Sequence, residues 1–79
     1  MYNNNYSHRP LYNTNGFQSG SVDLNNNLYN STGYQTGRID NYYGNHIVRD
    51  NNGYQTGRVL GDGSIVNTYG ATVGNIGGW

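Results

Sequence analysis

The chain has 79 residues, four arginines, no lysine, four aspartates, no glutamate, a formal net charge of zero and no cysteine. Four cations balanced to zero argue against a nucleic-acid binder that works by neutralising phosphate. The missing thiols exclude disulfides and thiolate metal sites, and no apolar run approaches the roughly 20 residues of a membrane-spanning helix. Leu, Ile, Val and Phe fill fourteen positions, and a single core in a chain of this size supplies only about 3–5 kcal/mol. Oligomerisation, burying surface against other copies, is therefore expected on energetic grounds.

Residues 1–10 are rich in Asn and Tyr, include His8, Arg9 and Pro10, and show no periodicity. They read as an irregular N-terminal arm, disordered or docked on a neighbour. No basic stretch followed by an apolar one marks a secretory signal, so cytoplasmic synthesis is expected, with release or surface assembly by a non-classical route left open. The glycosylation patterns Asn5-Tyr6-Ser7 and Asn30-Ser31-Thr32 then read as chance matches.

A repeated module occupies residues 11–76, in units of about 11–27, 28–47, 48–64 and 65–76. One heptapeptide, Gly-Tyr-Gln-Thr-Gly-Arg-aliphatic, stands at residues 33–39 and again at 53–59; diverged copies stand at 16–22 and 70–76. Ahead of each runs an aliphatic residue and its neighbour, then Asn13, Asn30, Asp50 or Asn67, with the first glycine three residues later. This spacing predicts a type I turn whose first residue bonds the backbone through its side chain. Gly16, Gly33, Gly53 and Gly70 then fall where φ must be positive, at a G1 bulge. After each turn the residues alternate: Tyr34, Thr36 and Arg38 oppose Gln35, Gly37 and Ile39, and Tyr54, Thr56 and Arg58 oppose Gln55, Gly57 and Val59.

The second glycine of each unit (Gly20, Gly37, Gly57, Gly74) weakens a strand and so predicts close approach of another backbone. Convergence of the repeats on an axis and stacking in rungs both satisfy that. Residues 23–27, 40–46 and 61–64 read as polar turns joining the hairpins. The fold class is therefore all-β: four imperfect hairpin repeats with about eight short antiparallel strands, in a flower-like or short solenoid-like array. Residues 77–79, Gly-Gly-Trp, read as a flexible C-terminal tail.

The unit aliphatic-Tyr-Asn-x-x-Gly-x-x-x-Gly-x-aliphatic, carried best by residues 28–33 with Gly37 and Ile39, resembles the repeat of small bacterial β-flower proteins. That resemblance implies four or so hairpins about a pseudo-symmetry axis, and no activity. Residues 29–37 are also similar to choline- and glucan-binding cell-wall repeats, with Arg38 and Arg58 where those repeats carry Trp. The Tyr-Asn/Asp-x-x-Gly pattern further resembles the Tyr-Asp repeats of large secreted toxins and shells.

Catalytic chemistry is thin. Asp23, Asp40, Asp50 and Asp62 all fall in or beside expected turns, His8 and His46 read as surface residues, and no nucleophile elbow exists. No enzyme, cofactor or metal is expected. Tyrosine stands out instead: Tyr34 and Tyr54, with Arg38 and Arg58 nearby, form a candidate stacking or assembly face. Asn runs at 3–5 and 25–27, low charge and edges without protecting charges favour strand addition. The leading expectation is a non-enzymatic structural protein, a β-repeat subunit assembling with copies of itself into a filament, sheet or coat through strand edges and tyrosine faces. The alternative is a small glycan or cell-wall polymer binding module using the repeat tyrosines.

Overall fold

A computed structural model describes residues 8–79; the Asn/Tyr-rich segment 1–7, most of the expected arm, lies outside it. Eight strands follow one another: β1 (Arg9–Tyr12), β2 (Gln18–Val22), β3 (Asn27–Asn30), β4 (Gln35–Tyr42), β5 (Asn45–Asp50), β6 (Gln55–Val59), β7 (Ser64–Asn67) and β8 (Thr72–Ile76). Each pairs antiparallel with the next. The last returns to the first through Leu11↔Ile76 and Tyr12↔Asn75, closing an up-and-down barrel. No helix is present among the described residues, so none is long and apolar enough to cross a membrane.

Turn chemistry makes the hairpins. Asn13 Oδ1 accepts from the backbone amides of Asn15 and Phe17, at 2.9 and 3.1 Å. Asn30, Asp50 and Asn67 repeat the pattern in the other three units, at 2.9–3.0 Å. The first glycines sit at φ of 86°, 95°, 90° and 86°, where a Cβ is disfavoured. Two of the joining turns, at residues 23–27 and 60–64, use the same backbone hydrogen-bond pattern, with Asn26 (φ 67°) and Gly63 (φ 91°) at the left-handed position. The third is shorter than its sequence indicates. Residues 40–42 belong to β4 and 45–46 to β5, so only Tyr43 and Gly44 turn, both with positive φ, as a two-residue hairpin loop requires. Asp40 is accordingly a strand residue, held in the longest ladder of the sheet from Gly37↔Asp50 to Tyr42↔Asn45.

The simple alternation breaks once in every hairpin. The register skips Ser19, Thr36, Thr56 and Val73, each left unpaired as a β-bulge opposite the junctions Leu11/Tyr12, Leu28/Tyr29, Val48/Arg49 and Ile65/Val66. The bulge keeps Gln18, Gln35 and Gln55 exposed although they share parity with the buried glycines. Gln18 and Gln35 instead fold back onto the carbonyls of Gly20 and Gly37.

Below the bulge the alternation resumes inward. Val22, Leu28, Ile39, Val48, Val59 and Ile76 form the buried cluster, with Leu11 and Ile65 packed against it, one aliphatic side chain from each strand. Paired across the ladders, they close a ring on the barrel axis. The second glycines explain how the ring closes. A Cβ on Gly20, Gly37, Gly57 or Gly74 would run into the carbonyl oxygen of Tyr29, Arg49, Val66 or Tyr12, each on the next hairpin. Glycine thus admits the neighbouring backbone, and the repeats converge on an axis; stacked rungs are excluded by the closure.

Closure also leaves no unpaired strand edge among the described residues, which removes the structural basis for assembly by strand addition. The C-terminal residues are not a loose tail. The Gly77 amide donates to the Pro10 carbonyl at 2.9 Å, and Trp79 packs against the core. It meets the His46 ring edge-on at 4.9 Å and lies beneath the Arg9 guanidinium at 5.2 Å, at the barrel end that holds the joining turns.

Candidate functional site

In an up-and-down barrel all four Asn/Asp-x-x-Gly turns fall at one end, and the joining turns with both described termini fall at the other. Glycine follows the turn cap after three residues, and in three units an aromatic residue comes next, before the strand is established. That position lies above the ring of aliphatic side chains, where nothing remains to cover it. Phe17, Tyr34 and Tyr54 are 71%, 74% and 71% exposed. In the fourth unit Ala71 takes this place, and Tyr69, one residue ahead of the turn glycine, is 94% exposed. Four aromatic side chains therefore stand in solvent around one end of the barrel.

Of the tyrosines and arginines singled out by sequence, Tyr34 and Tyr54 belong to this end. Arg38 and Arg58 lie further down β4 and β6, paired in register with Arg49 and Val66. Arg38 turns to Asp40, Nε to Oδ1 at 3.1 Å, and Arg49 reaches the other oxygen of the same carboxylate at 2.7 Å. The Arg38 hydrogen bond, helped by Arg49 against a smaller burial penalty, holds the Asp40 carboxyl below the usual aspartate range. Arg49 also donates to the Gly53 carbonyl at 3.0 Å, tying the ion pair to the third turn. Arg49 was not among the sequence candidates. It occupies the repeat position of Tyr12 and Tyr29, and that break in the pattern was the available signal.

The remaining aspartates are occupied in turns. Asp23 accepts from the amides of Asn25 and Asn27 through one oxygen, and from the Tyr29 hydroxyl at 2.8 Å through the other. Burial pulls its carboxyl upward, but the Asn27 amide, the Tyr29 hydroxyl and the other donors together outweigh that and hold it low. The same hydrogen bond, with burial and the adjacent charge, raises the Tyr29 phenol. The Asp62 carboxyl is lowered chiefly by the Ser64 amide. Among the described residues no group of three or more His, Asp or Glu is placed to hold a metal ion.

Two clefts open at the aromatic end. One, of about 500 Å³, runs along the closing seam, between Tyr12, Asn13 and Thr14 on one side and Thr72, Gly74 and Asn75 on the other. The other, of about 440 Å³, lies between Gln18, Gly20 and Ser21 of the first hairpin and Asn30, Ser31 and Gly33 of the second. Both fall within the roughly 300–1,000 Å³ of small-molecule sites. Neither cleft contains a charged side chain. The opposite end carries a separate aromatic feature: Tyr42 and Tyr43 at the β4–β5 tip, edge to face at 4.5 Å and largely exposed.

No protein-family model, curated protein or solved structure matches the chain.

Proposed function

We propose that the protein is a non-enzymatic binding module for a glycan or cell-wall polymer, engaged by the aromatic end of a rigid four-hairpin barrel. The observation that carries this reading is the exposure of Phe17, Tyr34 and Tyr54 at equivalent hairpin tips, joined by Tyr69 at the fourth. Aromatic rings left in water do nothing for the core, whereas exposed aromatic side chains repeated at neighbouring hairpin tips form a contact surface. Flat rings that are apolar on the face and, in tyrosine, polar at the tip suit the apolar faces and hydroxyl rims of sugar rings. Kinship with the β-flower repeat proteins is part of the same proposal, supported by four hairpins converging on one axis.

Affinity electrophoresis through gels containing soluble β-glucan, xylan, mannan or starch tests it. Retardation by at least one polysaccharide is expected, with loss of retardation in the triple variant Phe17→Ser, Tyr34→Ser, Tyr54→Ser. Unretarded migration of the native chain through every gel overturns the proposal.

A second reading keeps self-association through the aromatic end, in place of strand edges. The exposed Phe17, which has no hydroxyl to prefer water, favours it. Sedimentation equilibrium separates the two: a native chain that dimerises or polymerises at micromolar concentration, and a triple variant that does not, would support self-association. A monomer throughout would remove it.

A further inference from the structure

The hairpins part company at their tips. Pairing between neighbouring hairpins ends at Gly20↔Asn30, Gly37↔Asp50 and Gly57↔Asn67, and at the seam at Tyr12↔Asn75. Beyond those pairs lies a gap, repeated by the pseudo-symmetry. The second residue of the turn that borders each gap differs from one to the next: Thr14, Ser31, Asn51 and Thr68. In the third turn this is Asn51, whose Nδ2 crosses to the Gln35 carbonyl at 2.9 Å and bridges the gap between the second and third hairpins. In the first and second turns it is Thr14 and Ser31, shorter side chains that line the two clefts; Thr68 is as short, but the gap it borders has Arg58 at the position of Ser21 and Asn75.

Chemistry separates the gaps as well. Ser21 and Asn75 line the open clefts at the repeat position that Arg38 and Arg58 occupy in the second and third units. The capping residue follows suit. Asn13 and Asn30 spend Oδ1 on the turn amides, which directs each Nδ2 outward as a fixed donor. Asp50, the cap of the bridged gap, has no donor to present. Each open cleft thus offers amide donors and Ser or Thr hydroxyls, groups that donate and accept, on a Gly-lined floor without charge. That is the complement of a sugar's hydroxyl pattern and a poor match to a carboxylate or phosphate.

Resting on the glycan-binding reading above, we infer that the two clefts flanking the first hairpin are equivalent subsites for a neutral saccharide, so that each chain is bivalent. Two sites on one small rigid body raise apparent affinity for a polymer through effective concentration, without requiring either cleft to bind a single sugar tightly.

The test is amide-resolved NMR of the 15N-labelled chain titrated with methyl β-glucoside, methyl α-mannoside and N-acetylglucosamine, with galacturonate as the anionic control. At least one neutral sugar is expected to shift two groups of amides, around Thr14, Gly16 and Asn75 and around Gly20, Ser21 and Ser31. Galacturonate is expected to shift neither. Thr14→Asn and Ser31→Asn, which install the bridging side chain, are each expected to abolish one group and spare the other. Asn51→Ser, which reopens a gap still bordered by Arg38 and Asp50, is expected to create no third group around Gly37 and Gly53. The spectra themselves report whether each variant is folded. Both groups persisting in a folded Thr14→Asn, Ser31→Asn double variant overturns the inference, as does an equal response to galacturonate. A chain retarded by polysaccharide in the gel, but whose cleft amides move with none of the sugars, overturns the clefts and leaves the glycan reading standing. A chain not retarded at all overturns both.

Discussion

Glycine does two different jobs in each unit, and substitution separates them. Gly53 holds φ at 90° with open space where a Cβ would go, so its constraint is the backbone alone. A left-handed residue with a Cβ costs about 1–2 kcal/mol, less for asparagine, and Asn26 already holds φ at 67° in a joining turn of the same pattern. Gly57 has an ordinary φ, but a Cβ there would strike the Val66 carbonyl oxygen. Backbone cannot rotate away, which places the cost at or above the upper end of the about 1–3 kcal/mol typical of overpacking. Urea denaturation is therefore expected to show Gly53→Asn close to the native chain, and Gly57→Asn and Gly57→Ala both severely destabilised. By contrast Phe17→Ser, Tyr34→Ser and Tyr54→Ser, at exposed tips, are expected to change stability by no more than about 0.5 kcal/mol each. Turn glycines were readable from the Asn/Asp-x-x-Gly spacing, because a four-residue turn is a local affair. That the second glycine faces a carbonyl on the next hairpin was readable only as a close approach of unknown partner.

At the scale of the hairpin, the side-chain cap matters more than its charge. Three units use Asn and one uses Asp50, all accepting two backbone amides. Asp50→Asn is expected to be nearly neutral in thermal melts, whereas Asp50→Ala removes both hydrogen bonds, at about 0.5–1.5 kcal/mol each. The joining turn at Asp23 adds a pH dependence. The carboxyls of Asp23, Asp40 and Asp62 are held low in the folded chain. Their contribution is therefore fully present above the unfolded aspartate value of about 4 and is lost as pH falls through the lower folded values. Tyr29 is shifted upward, so its contribution is full below the unfolded tyrosine value of about 10 and is lost as pH rises through the folded value. Chemical denaturation across pH is expected to give a plateau between these limits; Tyr29→Phe should remove Tyr29's share of the alkaline fall, and Asp23→Asn should reduce the acid fall. The bulges at Ser19, Thr36, Thr56 and Val73 were not legible. Alternation in the sequence runs straight through them, and only the ladder register shows that one residue per hairpin is skipped.

For the whole molecule, closure is the controlling fact. The seam between β1 and β8 has two paired positions, and the end beneath it is covered by Trp79, which contacts the core and the rings and chains of His46 and Arg9. Burial of a large aromatic side chain is worth about 3–5 kcal/mol when complete; Trp79 is partly exposed, so Trp79→Ala is expected to cost less than that while lowering the melting temperature clearly. Tryptophan fluorescence should report the same transition as far-ultraviolet circular dichroism in the native chain, since the ring is seated on the core. A Trp79 emission that is fully solvent-like before unfolding would contradict that seating.

Period, turn spacing and composition by themselves determined an all-β chain of four hairpins, the positions of the left-handed glycines and a core of few aliphatic residues. These follow from interactions between residues a few positions apart, which the order of the chain displays directly. The tertiary structure decided the rest: that the second glycines let the hairpins converge on an axis instead of stacking, and that β1 meets β8 and leaves no free edge. It also decided that Trp79 packs against the core, and that Ser31 and Thr14 line clefts where Asn51 builds a bridge. Each of these depends on contacts between hairpins, and the repeat unit is the same whether its copies close a ring or extend a stack.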